Sequence, residues 1–420
     1  MSKYLSIVQL LIKSHLIYVG FFVVFLTVSG CSTVESSSNQ PQEAGTAVTR
    51  STQPKAAGTR PSNPIVIDTE QVSKQASGRQ VKQPVILENE VPFVFATASA
   101  NSPIVDFAKQ VAKNRGLPLS TVQLLLSEAR YQSTVVRLMT PPAPDQVKAV
   151  RNWQVYRQRF VEPIRIRGGV EFMHLHALTL QKAEAKYGVP AEIITAIIGV
   201  ETLYGQHMGS FKVLDALSTL AFNYPPPVRP DRVRLFQDQL ADLIELHVAG
   251  QLDARTQRGS FAGAIGIPQF MPGSILRYAV SAESNQRIDL SNNFDDAIMS
   301  VGNFLVEHGW VKGVPVFAPT QPPPDSFKWV DGGLTPNFSW AKLKDGGAVI
   351  DSRQPEGSDN LNWQTQMLGV IDLPLPDQDR VEYRVATPNF FALTQYNRSY
   401  FYASAVADLA EAVQKNSRSF

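Results

Sequence analysis

One stretch constrains the chain more than any other: Tyr187 to Gly209, YGVPAEIITAIIGVETLYGQHMG. Pro190 suits the first turn of a helix, and Gly205 suits the position just past its end. Between them Ile193, Ile194, Ala196, Ile197, Ile198 and Val200 leave almost no polar face. A helix apolar all round has to be surrounded by protein, so the fold must be built around this segment. Into it the sequence places one acid near the end, Glu201, at helical spacing from Ile194, Ile197 and Ile198. Burial disfavours a carboxylate, and the last turn of a helix is the negative end of its dipole. Both effects raise the pKa, and a Glu protonated near neutrality can act as a general acid. A rise of two units from the reference of roughly 4.3 takes only about 2.7 kcal/mol. Taken alone, this helix leaves Glu201 open between a buried acid and a residue pointing to solvent.

The 420 residues are 44% apolar and 18% charged, enough for a sizeable globular core. The formal net charge is only +2. Residues 1–30 contain Lys3 and Lys13 and no acid, so without them the charge is 2 − 2 = 0. That balance argues against nucleic acid as the main partner, because binding it needs a basic surface. The single cysteine, Cys31, excludes an internal disulfide. His174 and His176 are two apart, which does not set them on one helix face, and no Cys or His cluster points to zinc.

Lys3 and Lys13 and the apolar run Leu16 to Val28 have the form of a secretory signal. The run is short for a membrane span of about 20 residues. It ends Val28-Ser29-Gly30-Cys31, which resembles a bacterial lipobox with Cys31 as the lipidated first residue of the mature chain. Ser32 rather than Asp follows, and by that resemblance the protein is expected at the outer membrane, facing the periplasm. Residues 1–30 thus read as a signal peptide. Residues 31–100, rich in Ser, Thr, Gln, Pro, Ala and Gly, read as a flexible tether, with one short apolar patch at Val91–Phe95.

Residues 101–420 read as the globular part, mainly α. Helical spacing runs through Ile104–Ala112, Val122–Ala129 and Trp153–Phe160. A longer helix is expected from about Gly168 to Tyr187, leading into the opening stretch. Further helices are expected at Leu214–Phe222, Phe236–Val248, Asp295–His308 and Tyr400–Val413. Between Gly259 and Ser274 lies a loop punctuated by Gly and Pro. From Val311 to about Pro388, prolines, glycines and short apolar runs predict loops with small β elements. The segment Val314–Pro324 reads as a linker or a partner site.

Four blocks, in order, carry a resemblance: Tyr187–Gly209 with its Gly199-Val-Glu-Thr-Leu-Tyr-Gly205, Asp215–Pro225, Gly259–Pro272 and Pro388–Asn397. Over about Trp153 to Leu409 the chain resembles the membrane-bound lytic murein transglycosylase B family. These are typically lipid-anchored enzymes that cleave peptidoglycan glycan strands on a lysozyme-like helical fold. The resemblance implies Glu201 as the catalytic acid, Ser260 near the sugar N-acetyl group and Gln269 in the cleft. It also implies Tyr396 and Asn397 closing the cleft, and a cleft arginine at Arg232, with Arg229 or Arg234 as alternatives. Two family tyrosines are replaced, by Leu235 and Phe304. The family's calcium loop falls on Ser281–Asp289, which lacks the acidic first residue and the turn glycine. Glu283, Asn285, Asp289 and Asp296 remain as weak oxygen donors, and no cofactor is expected. Two other readings stay open. One is a lysozyme-type hydrolase using a second carboxylate such as Asp215 or Asp295. The other is a catalytically silent peptidoglycan-binding lipoprotein.

Overall fold

A computed structural model describes residues 102–141, 150–283, 287–351 and 361–418. The signal-like run, Cys31, the tether and the Val91–Phe95 patch lie outside the described residues. No described helix is long and apolar enough to cross a membrane.

The chain opens with α1 (Pro103–Arg115), α2 (Leu119–Glu128) and α3 (Ser133–Met139). Gly116 takes a left-handed conformation at the end of α1, where it costs nothing. Helices α4 (Trp153–Arg157), α5 (Pro163–Leu175), α6 (Ala177–Tyr187) and α7 (Ala191–Thr202) follow. The single helix expected from Gly168 to Tyr187 is instead two. His176 leaves the helical region (φ −111°, ψ 23°) at their junction. Its ring lies 4.5 Å from that of Phe172 and 4.9 Å from that of Phe294, so packing from a distant helix accompanies the break where no Gly or Pro announces it.

As expected, α7 is the centre of the molecule. Every residue from Ile193 to Val200 is buried, beneath α5, α6 and later helices. The helix stops at Thr202, earlier than Gly205 suggested, and Leu203, Tyr204 and Gly205 all adopt positive φ. A short strand β1 (Phe211–Lys212) leads to α8 (Val213–Phe222) and α9 (Pro230–Val248), which pack together. Arg115 ties α1 to this pair through Asp242 and Glu245, each at 2.5 Å. Strand β2 (Arg258–Gly259) returns beside β1, with Phe211 opposite Gly259. Then come α10 (Pro272–Tyr278) and the strongly amphipathic α11 (Phe294–Glu307), whose N-cap Asn293 accepts from the amides of Asp295 and Asp296.

The loop-rich region builds a small unit with its own core of Val314, Leu343, Trp363, Leu368, Val370 and Val385. Its elements are β3 (Thr320–Gln321), β4 (Phe338–Ser339), α12 (Trp340–Asp345), β5 (Val349–Ile350), β6 (Met367–Leu375) and β7 (Arg380–Ala386). Strands β4, β6 and β7 form one antiparallel sheet, and β3 pairs with β5. Val314 and Ala318 are buried, so the start of the proline-rich segment is a structural connection. The chain closes with α13 (Pro388–Tyr396) and α14 (Tyr400–Ser417), and α14 packs along α7 and α5.

Candidate active site

Glu201 sits in the last turn of α7, where the helix emerges from the core. Its surface is partly exposed, yet protein surrounds the carboxyl closely enough that burial raises its pKa to about 7. One hydrogen bond opposes that rise. The Tyr402 hydroxyl, on α14, donates to Glu201 Oε1 at 2.6 Å. A donor favours the charged form, but here desolvation outweighs it. Tyr402 is almost fully buried, and its ring lies nearly parallel to that of Tyr396, 6.3 Å away. Burial and the nearby Glu201 carboxylate push both tyrosine hydroxyls well above their ordinary range, so both remain neutral donors.

Hydrogen bonds tie the Gly259–Phe270 loop to the end of this helix, to the turn after it and to α13. Thr202 Oγ1 donates to the Ile267 carbonyl at 2.8 Å. Tyr396 Oη donates to the Pro268 carbonyl at 2.6 Å. Gln269 Nε2 donates to the carbonyls of Gly266 (2.8 Å) and Met208 (3.2 Å). Gln269 holds a left-handed φ of +52°, a strained state for a residue with a Cβ. The loop folds tightly because its glycines allow it: a Cβ on Gly259 would lie 2.1 Å from the Ala264 carbonyl oxygen. Ser260 Oγ accepts from the Ala264 amide at 3.0 Å, which leaves its O–H to donate elsewhere. Tyr396 thus reaches both the acid's hydrogen-bond partner and the loop. Asn397, the next residue, is buried at the turn between α13 and α14.

Arg232 stands in the first turn of α9, half-buried. Burial, then Arg229 and Arg398, push its pKa down, against Tyr224 and Asp231. Arg398 follows Asn397 directly, so the charge of the α13–α14 corner acts on Arg232. Arg229 is paired with Asp231 at 3.0 Å, and Arg234 is exposed. Leu235 packs on the main core, and the Phe304 ring meets Tyr396 (4.8 Å) and Phe270 (5.5 Å).

The two carboxylates considered as second catalytic groups are engaged elsewhere. Asp215, 3% exposed, accepts from the Arg130 amide (2.9 Å) and Gln132 Nε2 (3.4 Å), fastening the segment after α2 to α8. Asp295 accepts from the Thr179 hydroxyl at 2.6 Å. Two of the calcium-loop donors hold backbone amides of the loop. Asp296 accepts from the amides of Ala282 and Asp289, both at 2.8 Å, and Asp289 accepts from the amides of Ser291 and Asn292. Those carboxylates close the loop themselves. Asn285 lies outside the described residues, and among the described residues no group of three or more His, Cys, Asp or Glu is arranged to hold a metal.

Tyr402, the hydrogen-bond donor to Glu201, is the residue of this site that the sequence did not announce. Its partner lies 201 positions away. The only signal was a tyrosine on an otherwise apolar, alanine-rich helix face.

Comparison with known proteins meets this geometry. Residues 99–411 match the transglycosylase SLT domain family. The chain is 37% identical over 322 residues to the membrane-bound lytic murein transglycosylase B of Escherichia coli (strain K12), covering 75% of this chain and 83% of that one. The fold matches the lytic transglycosylase SltB1 of Pseudomonas aeruginosa with a TM-score of 0.66 and 34% identity, over 75% of this chain and 98% of the other. It also matches SltB3 of the same organism, solved with NAG-anhNAM-pentapeptide, with a TM-score of 0.61 and 27% identity over 74% and 78% of the two chains. This mainly helical, lysozyme-like protein belongs to the lytic murein transglycosylase family.

Proposed function

We propose that Glu201 carries both proton transfers of the reaction, in which the glycosidic bond between N-acetylmuramic acid and N-acetylglucosamine of peptidoglycan is cleaved without water. The observation that supports this most strongly is one carboxyl with a pKa near 7, hydrogen-bonded by Tyr402, while Asp215 and Asp295 are engaged elsewhere. Protonated Glu201 gives its proton to the bridging oxygen as the C1–O bond breaks, and N-acetylglucosamine leaves with a free hydroxyl. The resulting carboxylate, held by the Tyr402 hydroxyl, takes the proton from the C6 hydroxyl of the muramic sugar. That oxygen bonds to C1 and closes the 1,6-anhydro ring. The acid is regenerated, so one group serves twice. Because nucleophile and electrophile belong to one sugar, the attack is intramolecular and gains from proximity.

In this reading the Ser260 hydroxyl orients the N-acetyl group that stabilises positive charge at C1. Gln269, Tyr396 and Asn397 line the cleft, and Arg232 faces the substrate from the α9 side. No cofactor is required. Cys31 is the lipid attachment point, anchoring the enzyme to the outer membrane on the periplasmic side, in keeping with the membrane-bound relative. Purified sacculi digested by wild type and by Glu201→Gln test the reading. Wild type should release fragments with anhydro ends and Glu201→Gln should release none. Lysis by the variant at the wild-type rate would overturn it.

A further inference from the structure

The turn that ends α7 spends three successive residues in the left-handed region: Leu203 (φ 51°), Tyr204 (φ 59°) and Gly205 (φ 85°). Only the glycine adopts this freely. Two non-glycine residues stay there when tertiary contacts hold them. What the turn delivers is the Tyr204 ring, folded back into a slot made of glycines from two helices. A Cβ on Gly199 of α7 would lie 2.5 Å from Tyr204 Oη. On Gly169 of α5 it would lie 2.7 Å from the same atom, and on Gly168, 2.9 Å from Cε2. The Phe172 ring closes the slot at 5.5 Å.

Polar contacts lock the ring in place. Tyr204 Oη donates to the Arg165 carbonyl at 2.7 Å. Arg165 Nε donates in turn to the Gly199 carbonyl at 3.1 Å, and the guanidinium also holds the Arg159 carbonyl and the Glu162 carboxylate. The chain of contacts therefore closes on α7 two residues before Glu201. Two residues turn a helix by about 200°, so ring and acid occupy opposite sides of it. Burial raises the Tyr204 hydroxyl far above its ordinary range, which keeps it a neutral donor.

We propose that Tyr204 is a positioning residue: seated in the glycine slot, it fixes the rotation and the end of α7, and so sets the Glu201 carboxyl against Tyr402. The inference rests on Glu201 being the acid. The groups facing Glu201 are Tyr402 and Tyr396, and the charged group facing Tyr204 is Arg165, itself paired with Glu162. A ring that merely fills space would affect stability alone. A ring that aims the acid affects the Glu201–Tyr402 contact, and loss of that contact raises the acid's pKa.

Three variants decide it: Tyr204→Phe, which keeps the ring and removes one hydrogen bond, Gly199→Ala, whose methyl displaces the ring, and Glu201→Gln. Each is assayed for kcat and KM against pH on soluble glycan strands, with thermal unfolding alongside. Tyr204→Phe should lower kcat about tenfold and Gly199→Ala about a hundredfold or more, with KM little changed. In both, the alkaline limb of kcat/KM should move to higher pH. Folded Tyr204→Phe with the wild-type kcat and limb overturns the proposal, even if its melting temperature falls. Should Gly199→Ala fail to fold, Tyr204→Phe decides alone. An active Glu201→Gln would refute the underlying assignment of the acid, whereas an inactive one beside wild-type-like Tyr204→Phe would refute only the role of Tyr204.

Discussion

Glu201 holds its proton in the folded chain over a pH range in which the unfolded chain has lost it. Its folded pKa of about 7 stands above the ordinary value of 4.5, because burial penalises the carboxylate. The sign follows from linkage. Below pH 4.5 both states are protonated and the group costs nothing. Between the two values the unfolded state releases its proton and the folded state does not, so stability falls as pH rises, and the full cost is present above pH 7. At about 1.4 kcal/mol per unit, the cost is ~3 kcal/mol. Glu201→Gln, which removes the charge and keeps the shape, should therefore raise stability by that order at pH 8 and leave it nearly unchanged at pH 4. Denaturant unfolding at the two pH values measures this. The opposite trend would mean that the carboxylate is stabilised in place. Tyr402→Phe removes the one donor that lowers the pKa, so its alkaline activity limb should move to higher pH than that of wild type. A limb that moves down would contradict the assigned hydrogen bond. The apolar run singled out Glu201 in the sequence but left it open between a buried acid and a surface residue; the fold is what surrounds its carboxyl with protein. Tyr402 was not singled out, because nothing local marks a hydrogen bond across 201 positions.

Among elements, α7 was legible. A segment apolar on every face has one stable place, the middle of a helical core. The break between α5 and α6 was not, because the rings that surround His176 include Phe294 from another helix, and local propensity carries no trace of them. Asp215 makes the same point in the other direction. The sequence offered it as a possible second catalytic carboxylate, and the fold uses it to hold the amide of Arg130. Asp215→Ala should cost about 1–3 kcal/mol, the penalty for leaving a buried donor unmatched, with kcat of the folded protein retained. Unfolding and kinetics on the same sample test this. A loss of kcat by orders of magnitude with stability unchanged would revive the two-carboxylate hydrolase.

For the whole molecule, the sequence located the boundary between small β unit and helical body through composition. The prolines and glycines between Val311 and Pro388 mark where regular helices cease. What composition does not reveal is how α14 returns from that unit to lie along α7 and supply Tyr402. Residues before 102 lie outside the described residues. If Cys31 carries the anchor, Cys31→Ala should move the protein from the membrane to the soluble fraction, with kcat on isolated glycan strands unchanged. A variant still in the membrane fraction would assign the anchor elsewhere. In the proposed reaction one carboxyl serves as acid and then base while no water enters the products. Mass spectrometry of fragments released from purified sacculi tests it most directly. The mechanism predicts muramic ends in the 1,6-anhydro form, lighter by one water than reducing ends. Reducing ends in their place would contradict it and make the enzyme a hydrolase.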